Sequence, residues 1–221
     1  MIIYLKIEDI LQGVVKNFKV SKHYYTYLAL GDSYTIGEGV SLHENFPSQA
    51  VQLLRMKGHH FNAPEIVAKT GWTTSELAEH ILHSALNEKY DFVTLLIGVN
   101  NQYRNLPPAD YTNDFEFLLK KAIHFSGDQP KKVIVLSIPD WGVTPFAKSK
   151  DAGKVALAID EFNAVNKQLS QKYKVAYIDV TAGSRNAVND SGLLAADKLH
   201  YSAKLYGAWA ADVVAEFEKV I

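Results

Sequence analysis

The sequence predicts an α/β fold: a parallel sheet covered by helices on both faces. Three observations carry that prediction. Short β-rich runs alternate with longer segments of helical periodicity along most of the chain. Several of the β-rich runs, such as Val93–Ile97 and Val133–Leu136, are almost continuously apolar, as strands buried on both faces are. Finally, 221 residues with 48% hydrophobic and 11% aromatic content fit one large domain with a substantial core.

The strand candidates are Tyr24–Leu30, Glu65–Ala68, Phe92–Ile97, Lys132–Ile138 and Lys174–Val180. Between them run three apolar stripes of helical spacing. Leu77, Ile81 and Ala85, with Ala78, Leu82 and Leu86 beside them, form the first. Thr73 and Glu76 ahead of it have the spacing of a capping box. Val155, Ile159, Phe162, Val165 and Leu169 form the second, and Leu205, Trp209, Val213 and Phe217 the third. Ser202 is the expected N-cap of that last helix. Strand–helix alternation with right-handed crossovers gives the parallel arrangement.

Residues 1–23 stand apart from this body, at 24–221. Ile7, Ile10, Leu11, Val14, Val15 and Phe18 follow an amphipathic helical pattern weakened by Gly13. The polar face is mixed rather than basic, which favours docking on the body or on a second copy in a homodimer over a membrane surface. Lys6, Glu8 and Asp9 interrupt the short apolar opening, so no signal peptide is read there. The default expectation is a cytoplasmic protein, or a periplasmic or secreted one if a leader has been removed. A net charge of −1 argues against nucleic acid as a partner. With no cysteine, disulfides, thiolate metal sites and a cysteine nucleophile are excluded.

Chemistry-bearing residues fall just after the predicted strands, where open α/β sheets bind ligands. Ala29-Leu30-Gly31-Asp32-Ser33-Tyr34 puts a serine past the first strand. Lys69-Thr70-Gly71-Trp72-Thr73 follows the second, with a glycine whose backbone can approach an anion near a helix start. Ile97-Gly98-Val99-Asn100-Asn101 follows the third and offers a side-chain amide. Near the C-terminus, Asp197-Lys198-Leu199-His200 sets a carboxylate three residues before a histidine, close enough to fix the imidazole tautomer. Taken singly, each has an ordinary structural reading as a turn, a cap or a surface pair; together they can converge on one point.

Gly31-Asp32-Ser33-Tyr34-Thr35-Ile36-Gly37, Gly71, Gly98-Val99-Asn100-Asn101 and Asp197-Lys198-Leu199-His200 resemble, in order, the four motif blocks of the SGNH/GDSL hydrolases. The resemblance runs from about Tyr25 to the C-terminus. It implies a three-layer α/β/α sandwich with a five-stranded parallel sheet in the order 2-1-3-4-5. It implies Ser33 as nucleophile, His200 as base and Asp197 as its orienter. An oxyanion hole would come from the Ser33 and Gly71 N–H groups and the Asn100 amide. The third block departs from the family's common Gly-x-Asn-Asp, with Asn101 in place of the aspartate, a change expected to alter loop hydrogen bonding rather than abolish activity.

The expected activity is hydrolysis of short-chain acyl esters, including O-acetyl carbohydrates, through an acyl-enzyme. Lysophospholipase, thioesterase or acyltransferase action at the same site is the alternative. The loops around the site are short and carry no apolar insertion that would make a lid or acyl tunnel. Trp72, Tyr103 and Trp141 are candidate substrate-binding residues. Neither cofactor nor metal is expected: the pairs His59-His60 and His80/His83 have no evident third ligand. No Gly-x-Ser-x-Gly elbow occurs, and Gly31-Asp32-Ser33 is a poor phosphate cradle for a flavodoxin-like domain.

Overall fold

The computed structural model describes residues 23–221, so the amphipathic pattern predicted for residues 1–23 lies outside the described residues except for His23. Along the chain, β1 (Tyr27–Gly31) leads into the single-turn α1 (Ser33–Ile36) and then α2 (Phe46–Met56). β2 (Glu65–Ala68) leads into α3 (Thr74–His83), and β3 (Phe92–Leu96) into α4 (Val99–Tyr103) and α5 (Pro108–Phe125). β4 (Val133–Leu136) is followed by α6 (Ala152–Tyr173), and β5 (Ala176–Ile178) by α7 (Thr181–Arg185) and α8 (Ala203–Phe217).

The five strands form one sheet in the order β2-β1-β3-β4-β5, every pairing parallel. Helices α2 and α8 pack together on one side, and α5 packs on α3, α6 and β3 on the other. The result is the three-layer sandwich that the resemblance implies. Every residue of β1, β3 and β4 is buried, which is why those runs read as continuously apolar. Phe92 joins the sheet to the C-terminal helix, its ring 4.2 Å from Phe217 and 5.7 Å from Phe61.

Register matters most for function. Gly31, the last residue of β1, pairs with Ala68 of β2 and Leu96 of β3. Three strands therefore end at one level, and their following loops leave the sheet side by side. The strand order reverses at β1, which has β2 on one flank and β3 on the other, so a crevice opens there at the carboxyl edge.

Strand bounds differ from the sequence reading where side chains take over the backbone hydrogen bonds. Asp91 Oδ2 accepts from the Thr26 N–H and hydroxyl at 2.9 and 3.0 Å, so β1 begins at Tyr27 rather than Tyr24. The Asn163 amide binds both the N–H and the carbonyl of Ile138, at 2.7 and 2.9 Å, so β4 stops short of it. Lys174 closes α6 in the left-handed conformation, which delays β5.

The capping box predicted at the start of α3 is present: the Thr73 hydroxyl accepts from the Glu76 N–H, and Glu76 accepts from the Thr73 N–H. The stripe beyond it is shorter than expected. Ser84 donates its hydroxyl to the His80 carbonyl at 2.7 Å and turns extended, so α3 ends at His83, leaving Ala85 and Leu86 past the helix and Leu82 exposed. Ser202 stands at the N-cap position of α8, but its hydroxyl donates to the Gly192 carbonyl instead of capping the helix. Among the described residues, no helix is long and apolar enough to cross a membrane.

Candidate active site

Ser33 opens α1 directly after the turn that leaves β1. Asp32 is the N-cap, its Oδ1 accepting from the Tyr34 N–H at 3.0 Å, which fixes the turn and aims Ser33 outward from the sheet edge. Asp32 itself is fully buried. Its Oδ2 has no partner, and burial pushes its carboxyl up to about 7 despite the N–H bond from Tyr34.

His200 comes from the other end of the chain. Leu194 and Tyr201 form an antiparallel bridge, and the Ala195 N–H donates to the His200 carbonyl at 2.8 Å. This pins a tight loop whose turn is made by Lys198 in the left-handed region. Within it Asp197 Oδ1 accepts from the Leu199 and His200 N–H groups, both at 3.0 Å, and Oδ2 lies 2.6 Å from His200 Nδ1. Burial would raise the Asp197 carboxyl, but these three hydrogen bonds outweigh it and hold the group below the usual range. An anionic Asp197 requires the proton on Nδ1, which leaves Nε2 as an acceptor. Nε2 lies 2.9 Å from Ser33 Oγ. The Tyr34 ring meets the imidazole edge-on at 5.5 Å and backs it on one side.

The loops after β2 and β3 complete the wall. Gly71, which lines the pocket, has φ of 85°, a conformation that favours glycine. Asn100 donates from its amide nitrogen to the Trp72 carbonyl at 2.9 Å, which orients the group and leaves its second N–H without an acceptor among the described residues. Arg104, which sequence reasoning missed, clamps the Gly71 loop: one guanidinium nitrogen donates to the Gly71 carbonyl at 2.6 Å, another to Glu76 at 3.3 Å. Nothing in the sequence marks Arg104, because its target is a backbone carbonyl of a distant loop.

Ser33, Gly71, Asn100 and His200 all face one pocket of about 160 Å³, whose remaining lining is largely apolar. Of the three candidate substrate-binding residues, the structure places two there. Tyr103 and Trp141 line the pocket with their rings 5.2 Å apart, and Phe146 and Leu199, neither of them assigned a role from the sequence, join them. Trp72 is not among the residues lining this pocket: its ring packs 4.7 Å from His80, while its backbone carbonyl holds Asn100. A residue's place on a loop does not give its side-chain direction. Asn101 likewise turns from the pocket into the protein, where it accepts from the Thr74 N–H at 3.0 Å and donates to the Thr74 hydroxyl at 2.8 Å. The remaining histidine pairs serve other contacts, with His59 3.6 Å from Glu218 and His83 on the Glu79 carbonyl.

The arrangement is a hydroxyl, a base with an anionic orienter, and donors on separate loops facing one cavity. A lipase/acylhydrolase from Enterococcus faecalis has the same fold, with a TM-score of 0.69 at 22% identity over 88% of this chain and 96% of the other. The structure of TesA superposes with a TM-score of 0.70 at 18% identity, covering 89% of this chain and 99% of that one. An acetylxylan esterase, Axe2 from Geobacillus stearothermophilus, does so with 0.68 at 16% identity, covering 87% and 93%. A search of curated proteins by sequence finds no match. Residues 29–208, which hold all four motif blocks, match the GDSL-like Lipase/Acylhydrolase family, and the chain therefore belongs to that family of carboxylic ester hydrolases.

Proposed function

We propose that the protein hydrolyses short-chain acyl esters, O-acetylated carbohydrates among them, through an acyl-enzyme on Ser33. The observation that carries this reading is the hydrogen-bonded series Asp197–His200–Ser33 at the wall of a small apolar pocket. In the first half-reaction Ser33 Oγ attacks the ester carbonyl while its proton passes to His200 Nε2. Asp197 stabilises the imidazolium without taking the proton. The carbonyl oxygen, now negative, is met by the Ser33 and Gly71 N–H groups and the second N–H of Asn100. The leaving alcohol takes the proton from His200. A water then repeats the sequence against the acyl carbon, releasing the acid and restoring Ser33.

The size of the pocket supports the short acyl chain. Its apolar lining, from Val99, Tyr103, Trp141, Phe146 and Leu199, grips a few methylenes, each worth ~0.8 kcal/mol when buried. Past the end of the pocket, further methylenes gain nothing. The test is kcat/KM against acyl length on soluble nitrophenyl esters, with acetylated sugars alongside. The expected profile peaks at or below about six carbons. A continuous rise to about twelve carbons would overturn the short-chain reading in favour of a lysophospholipase or thioesterase.

A further inference from the structure

Tyr103 and Trp141 do not only line the acyl pocket. They also line a second cavity of about 260 Å³, bounded by Gln102, Lys150, Asp151 and Lys154. We propose that this cavity receives the alcohol part of the substrate, and that this part carries a negative charge, as a uronic acid residue of an acylated saccharide does. The inference rests on the ester-hydrolase reading above and names the substrate class within it.

Three independent features meet in the cavity. The first is an unused donor. Gln102 is only 8% exposed. An indole N–H can only donate, so the 2.8 Å bond from Trp141 Nε1 fixes the Gln102 carbonyl oxygen toward the ring. The amide nitrogen then has no partner among the described residues and belongs to the cavity it lines. Unlike the buried unpartnered atoms, that nitrogen keeps accessible surface, so a ligand or solvent in the cavity can meet it.

The second is charge. Lys150 and Lys154 outnumber Asp151, whose carboxylate is already engaged as the N-cap of α6 through the Lys154 N–H at 3.2 Å. The Lys154–Asp151 ion pair is long, at 3.8 Å, and both side chains are exposed, so it holds the ammonium group only weakly. The third is the start of α6 itself. This 22-residue helix begins at the cavity. Asp151 caps only one of its first N–H groups, and those of Ala152 and Gly153 have no acceptor among the described residues.

The aromatic wall complements these polar groups. A saccharide ring presents C–H faces that pack on Tyr103 and Trp141, while its carboxylate meets the lysines and the helix start. The two cavities share Tyr103 and Trp141, so in this proposal one saccharide lies along those two residues with its ester at Ser33.

The experiment compares acetylated methyl glucoside with acetylated methyl glucuronoside at low ionic strength, with nitrophenyl acetate as a reference ester. Wild type should favour the uronate in kcat/KM by about tenfold, two exposed charges contributing a few-fold each. The Lys150→Gln/Lys154→Gln double variant should bring the ratio near one, and Lys154→Glu should invert it. The preference should also shrink in high salt. A wild-type ratio near one, or one the lysine variants leave unchanged while nitrophenyl acetate is still cleaved, would overturn the second cavity's role. Loss of the ester-hydrolase reading would look different: wild type would cleave none of the three esters.

Discussion

At the scale of single residues, the site separates groups that do chemistry from groups that hold them. The Asn100 amide has one N–H on the Trp72 carbonyl and the other without an acceptor among the described residues. In the proposed oxyanion role this donor gains most when the carbonyl oxygen becomes negative, so Asn100→Ala should cut kcat by about 10²–10³ and leave KM nearly unchanged. Steady-state kinetics decide this; a change in KM alone would make Asn100 a binding group instead. Asp32 supplies a pH prediction. Its native carboxyl, raised to about 7 by burial, holds a proton that the unfolded chain releases near 4. The stability it contributes is complete below about 4 and is lost as pH rises through about 7. Asp32→Asn should remove that decline, by no more than about 3 kcal/mol between pH 5 and 8 in urea unfolding. An unchanged pH slope would show that Asp32 is ionised throughout. The proposed triad was legible because Ser33, Asp197 and His200 sit in short motifs. Phe146, Leu199, Gln102 and Arg104 were not, since each acts through a contact that only the folded chain creates.

At the scale of elements, the loops are held by side chains that belong to other elements. Asn101 ties α4 to the start of α3 with both ends of its amide, and the Thr74 hydroxyl donates in turn to Asp114 at 3.1 Å. Restoring the family's aspartate would break this chain. Thr74 has one hydroxyl proton, and two carboxylates would compete for it. Asn101→Asp should therefore cost about 1–3 kcal/mol in urea unfolding. It should change kcat only slightly, because Asn100 is tethered separately through Trp72. A more stable variant, or one with lost turnover, would contradict this division. Helix α3 shows how far sequence reasoning reaches at this scale. The capping box at Thr73 and Glu76 is local and was readable. The exit at Ser84 depends on a hydroxyl choosing the His80 carbonyl over solvent, which periodicity does not reveal.

At the scale of the whole molecule, the sheet register turns a one-dimensional sequence into a site. The apolar runs announce buried parallel strands, and the composition announces one domain. The order β2-β1-β3-β4-β5 came only through the motif blocks, since no periodicity tells which strand lies beside which. Because Gly31, Ala68 and Leu96 end at one level, Ser33, Gly71 and Asn100 arrive together, and the loop after α7 brings Asp197 and His200 to them. The central claim is that this convergence makes one serine a nucleophile. Treatment with a fluorophosphonate, followed by intact-mass and peptide analysis, tests it most directly. The account predicts a single adduct on Ser33, stoichiometric with lost esterase activity, and no adduct in Ser33→Ala. Labelling at another serine, or turnover that survives in Ser33→Ala, would contradict it.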